Sequence, residues 1–80
     1  MRELEAHEIL TLNLRRLTAE KHMPLTVVAD RAQIPRRELF DALSGDYDPD
    51  VPWLERLAEA MDVRLWELVR DEHYPPNSGT

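Results

Sequence analysis

The 80-residue chain has no cysteine, only two glycines, and no long hydrophobic run. Without thiols there is neither a disulfide framework nor a thiolate zinc site, and a reducing interior is expected. No apolar run approaches the roughly 18 residues that span a membrane, and the charged start (Arg2, Glu3, Glu5) does not read as a secretory signal. The expected compartment is therefore cytoplasmic. The scarcity of glycine excludes a glycine-rich phosphate loop, and with few β-branched pairs it argues against sheet. A chain of this length makes one core and not two, which leaves no room for a catalytic domain with a separate cofactor domain. His7, His22 and His73 stand far apart, with no second histidine or cysteine at ligand spacing, so no metal is expected. The serines are Ser44 and Ser78, in a turn and in the tail, and no carboxylate is expected in a buried cleft. Neither an enzyme nor a cofactor is expected.

What is present is charge, unevenly placed. The total is −6, from 16 acidic and 10 basic side chains. Residues 15–37 hold six cations (Arg15, Arg16, Lys21, Arg31, Arg36, Arg37) against Glu20 and Asp30, a balance of +4. Residues 38–72 hold three arginines against eleven carboxylates, a balance of −8, and the first fourteen residues contribute −2. An acidic protein can thus present one basic face, and the local field on that face governs which partners it attracts.

The apolar residues recur at helical spacing between proline- and glycine-marked turns. Leu10, Leu14 and Leu17 predict an amphipathic helix over roughly residues 4–21, ended by His22, Met23 and Pro24. A short second helix, about 25–31, turns Leu25, Val28 and Ala29 inward and Thr26, Asp30 and Arg31 outward. Gln33-Ile34 form a tight turn, and Pro35 pre-sets φ for a third helix, about 35–43. That helix buries Leu39, Ala42 and Leu43 and points Arg36, Arg37, Phe40 and Asp41 away, with Ser44-Gly45 as its stop. Asp50 can cap a fourth helix carrying Trp53, Leu54, Leu57, Ala58 and Met61. A final short helix holds Leu65, Trp66, Leu68 and Val69. The tail, residues 73–80, is too polar and proline-rich to fold alone and is expected to be flexible. The expected fold is all-α, with five helices in one domain over residues 1–72.

Two short helices joined by a tight turn, the second bearing arginines in its first turn, suit groove reading. A helix fits the major groove of B-DNA, and arginine matches the paired acceptors of guanine. The ordered set Leu14-Arg15-Arg16-Leu17, Leu25-Thr26-Val27-Val28-Ala29-Asp30-Arg31-Ala32, Ile34-Pro35-Arg36-Arg37-Glu38-Leu39, Ser44-Gly45, Pro49, Leu54-Glu55-Arg56-Leu57-Ala58-Glu59-Ala60-Met61-Asp62-Val63 and Leu65-Trp66-Glu67-Leu68 resembles the phage-repressor/Cro type of helix-turn-helix domain, also called the xenobiotic-response-element type. The resemblance needs no gap and covers about three quarters of the chain. It implies a compact five-helix, lambda-repressor-like domain whose helices 2 and 3 bind double-stranded DNA, usually as a homodimer. It departs from the family pattern at Gln33, where glycine is common, at Leu25, where many members place a phosphate-contacting glutamine, and at Leu43, often glutamate. The loop with Asp46, Asp48 and Asp50 is basic in many members.

On this reading Arg36 and Arg37 contact bases or phosphate, although an arginine pair at a helix start can be merely solvated. Asp41 either accepts from a cytosine amino group or pairs with Arg37 at i, i+4. Phe40 either meets a thymine methyl or marks a protein-binding face. Thr26 is a candidate backbone contact or a plain surface threonine; Arg15 and Arg31 are solvated or weak phosphate contacts. An outward Trp66 beside Leu65 and Val69 suggests a dimer surface, unless it folds over the core. The expected function is a sequence-specific transcriptional regulator, of repressor or controller type, acting as a homodimer on a two-fold operator. The alternative is a helix-turn-helix domain repurposed to bind another regulatory protein.

Overall fold

The computed structural model describes residues 4–70. The described chain is all-helical, with five helices and no strand: α1 (Ala6–Lys21), α2 (Leu25–Ala32), α3 (Arg36–Ser44), α4 (Val51–Met61) and α5 (Trp66–Val69). Each of the first four follows its apolar stripe. Leu10, Leu14 and Leu17 of α1, Val28, Ala29 and Ala32 of α2, and Leu39 and Ala42 of α3 meet Trp53, Leu57, Ala58 and Met61 of α4 in one core. Ile34 from the α2–α3 turn and Leu68 of α5 complete it. α2 packs mainly on α4, while α1 lies against α3 and α5. Burying a leucine or valine side chain contributes about 1.5–3 kcal/mol, so this shared core, more than helix propensity, stabilises segments as short as α2.

Helix ends are set by local chemistry. α1 starts at Ala6 rather than near residue 4, because the Glu5 N–H donates to Glu8 Oε1 at 2.8 Å and closes the first turn from outside. α2 runs one residue beyond the expected end, to Ala32. α3 is shifted by one from the expected 35–43. Pro35 takes a helical φ of −57° but an extended ψ of 136°, so it stands before the helix as its cap position. Leu25 and Leu43, expected inside, are half-buried against the edge of the core. α4 begins as expected at Asp50, whose Oδ1 accepts from the Trp53 N–H at 3.0 Å.

The first four helices end alike. His22, Gln33, Gly45 and Asp62 all take the left-handed conformation, and the following N–H returns to the last turn. These bonds run from Met23 to Thr18, Ile34 to Ala29, Asp46 to Asp41 and Val63 to Ala58, at 2.8–3.0 Å. No helix among the described residues is long and apolar enough to cross a membrane. The expected tail, residues 73–80, lies outside the described residues, as do positions 1–3, 71 and 72 of the expected domain.

Candidate nucleic-acid interface

α2 and α3 each bury one side and leave an exposed arc. On α3, Leu39 and Ala42 are buried in the core, and Arg36, Arg37, Phe40 and Asp41 lie away from it. Arg36 and Arg37 are exposed, Asp41 is half-exposed, and Phe40 leaves 43% of its surface in solvent. On α2, the half-buried Thr26 and the exposed Asp30 lie one turn apart, and Arg31 is exposed.

The two arcs are joined by one contact. Asp30 on α2 receives the Arg36 guanidinium side-on: Nε donates to Oδ1 at 3.1 Å and Nη2 to Oδ2 at 2.7 Å. This pair holds the Asp30 carboxyl below its ordinary range and raises the Arg36 guanidinium, in both cases chiefly through their hydrogen bond. The Asp30–Arg36 contact links the outward side of α2, with Thr26, to that of α3, with Arg37, Phe40 and Asp41, as the candidate surface. Its cations differ: Arg36 is neutralised by Asp30, whereas Arg37 makes no ion pair with any described residue. The Arg37–Asp41 pair that their spacing allows is not formed. The Thr26 hydroxyl and the Arg31 guanidinium have no partner among the described residues and remain available to a ligand. Arg15 sits exposed on α1, and no bond or ion pair ties it to α2 or α3.

Behind this surface the carboxylates have structural work. Glu38, on the flank of α3, accepts from the Trp53 indole Nε1 at 2.9 Å and so pins α3 to α4. Trp53 is buried and tilts against Tyr47 with ring centroids 5.5 Å apart. Burial raises the Tyr47 phenol above its ordinary range, with Glu38 and Asp50 adding to the effect. Of the three loop aspartates, Asp50 serves as the α4 cap, while Asp46 and Asp48 are exposed.

The dimer candidates lie on α5. Trp66 is 56% and Val69 49% exposed, one turn apart, and Leu65 is half-buried against the core. Trp66 does not fold over the core; the Arg70 guanidinium carbon stands 5.5 Å from its ring centroid. Leu12 of α1 is also exposed, at 46%, beside the Asn13 that holds α5.

Three residues carry more than the sequence reading gave them: Asp30, Glu38 and Asn13. Asn13 is 1% exposed and donates to the carbonyls of Leu68 and Arg70, both at 2.8 Å. A signal for it existed, since Asn13 fills the i+3 position of the Leu10, Leu14, Leu17 stripe, where an apolar residue belongs. Asp30 and Glu38 give no such signal, being ordinary outward carboxylates in sequence.

Among the described residues no group of histidine and carboxylate side chains is placed to hold a metal ion. A groove of about 290 Å³ lies between the start of α1, the α3–α4 loop and α5, lined by His7, Leu10, Tyr47, Leu54 and Val69 among others. It holds none of the α2–α3 arc residues. Comparison with protein-family models, with curated proteins and with solved structures finds no match to this chain.

Proposed function

We propose that this protein is a sequence-specific DNA-binding regulator in which α2 and α3 act as a helix-turn-helix and α3 enters the major groove. One observation carries the reading: the outward arc of α3 begins with two arginines and adjoins the outward arc of α2 through Asp30–Arg36. A three-residue connection, Gln33-Ile34-Pro35, separates the two helices. The first turn of an inserted helix reaches base edges, and its amide groups can face a phosphate. Arg36 and Arg37 then read or clamp the groove, with Phe40 and Asp41 one turn deeper and Thr26 and Arg31 on the backbone. Arg15, on α1, is at most a peripheral backbone contact. The +4 balance of residues 15–37 supports the same face. Leu65, Trp66 and Val69 would join two copies, placing the two α3 helices about one helical turn, ~34 Å, apart on a two-fold operator.

A second reading, an interaction module that binds another regulatory protein, draws on the exposed Phe40 within the arc and on the exposed Asp46 and Asp48 beyond it. A polarisation titration against duplex DNA at two salt concentrations separates the two. The DNA reading expects binding that weakens steeply as salt rises, and a weaker complex for Arg37→Ala. Absence of binding at low salt, or binding without a salt slope, would refute it in favour of the protein module.

A further inference from the structure

The Asp30–Arg36 contact is more specific than a surface ion pair usually is. Both side chains are more than half exposed, at 56% and 58%, so the pair contributes little to stability. Its consequence is geometric. A guanidinium carries five N–H groups in a fixed plane. Asp30 engages the edge formed by Nε and one Nη2 hydrogen. That leaves the end edge, one hydrogen on Nη1 and the second on Nη2, as a parallel pair of donors. The pair also cancels the Arg36 charge. A neutralised arginine has lost most of its long-range attraction for phosphate but keeps its directed donors, which suit the uncharged acceptors of a base edge.

Resting on the DNA-binding reading, we propose that Asp30 is a positioning residue, which holds Arg36 so that its end edge donates to O6 and N7 of a single guanine. The division of labour within α3 follows: Arg36 is the directed reader, and Arg37, with no partner among the described residues, supplies the charge. Asp30 itself touches no base.

The test uses the full chain and a duplex pool with a randomised core. Wild type, Asp30→Asn and Arg36→Ala are each put through selection. Affinities are then measured for the winning duplex and for the same duplex with 7-deazaguanine at the preferred guanine. Wild type is expected to favour that guanine by about tenfold or more, the discrimination typical of one bidentate contact, and to lose the preference with the N7-lacking base. Asp30→Asn is expected to lose the same preference while binding other duplexes as well as wild type or better, since a negative charge has gone. The double variant Asp30→Asn/Arg36→Ala, measured on the same duplexes, should be no less selective than Arg36→Ala alone. Matching circular-dichroism melts of wild type and variants establish that the fold is intact.

Two outcomes overturn the inference alone. If Asp30→Asn tightens binding to every duplex equally and keeps the guanine preference, Asp30 acts only through its charge. If Arg36→Ala weakens all duplexes uniformly and lowers the salt slope by about one, Arg36 is a phosphate clamp. Failure of wild type to bind any duplex is a different result, and it removes the DNA reading together with this proposal.

Discussion

Left-handed helix ends are where single residues set the local energy of this protein. Gly45, at φ 89°, sits where glycine is favoured, and a Cβ added there would lie 3.0 Å from His7 Nδ1. His22, Gln33 and Asp62 adopt φ of 53°, 60° and 59° with a Cβ in place. The left-handed region costs an L-residue about 1–2 kcal/mol, partly offset by the greater entropy that glycine loses on folding. Gln33→Gly is therefore expected to raise stability by about 0.5–1 kcal/mol, read as a higher urea midpoint at constant slope. Gly45→Ala should lower it by more than that gain. A lower midpoint for Gln33→Gly would mean that the glutamine side chain makes a stabilising contact. Gly45 and the Gln33 turn are legible in sequence from Ser44-Gly45 and Ile34-Pro35. The end at His22 is marked only by Pro24 two residues on, and Asp62 has no such marker, because its conformation is imposed by the carbonyls that the next N–H must satisfy.

At the scale of the helix, α5 is the dependent element. Four residues cannot form a stable helix alone, since nucleation is not repaid over so short a run. It is held by burial of Leu68 and by Asn13, whose amide satisfies the Leu68 and Arg70 carbonyls that the helix end leaves open. Removing a buried partner of this kind costs about 1–3 kcal/mol. Asn13→Ala should lose roughly that much in chemical denaturation and speed amide exchange in residues 66–70 before the rest of the chain. Equal protection across all five helices would show that α5 is held by Leu68 alone. The number and order of the helices follow from the apolar period. Their ends move by one or two residues wherever a side chain caps from outside, as Glu8 does for Glu5.

For the molecule as a whole, charge is unevenly placed along the chain. The −6 total divides into a basic stretch around α2 and the start of α3 and an acidic remainder. Exposed apolar side chains occur on every helix, Leu12 on α1, Val27 on α2, Phe40 on α3 and Val51 on α4, and α5 alone carries two, Trp66 and Val69. An aromatic anchor with aliphatic neighbours is the usual centre of a protein contact. Trp66→Ala is accordingly expected to weaken self-association in sedimentation by about tenfold or more, while leaving the melting curve of the monomer near that of wild type, as Trp66 is not part of the core. Sedimentation as a monomer for both proteins at high micromolar concentration would exclude the homodimer.

Periodicity and capping chemistry act over three or four residues, and that range sufficed for the all-helical fold, the core stripes, the Asp50 cap and the outward set Thr26, Arg36, Arg37, Phe40 and Asp41. Contacts that give the surface its character span more. Asp30 meets Arg36 across a turn, Glu38 meets Trp53 across a loop, and Asn13 meets Leu68 from the far end of the chain. Each depends on how rigid helices pack on a common core, which no local pattern encodes. The difference between two equivalent-looking arginines, Arg36 neutralised by Asp30 and Arg37 unpaired among the described residues, was made by that packing.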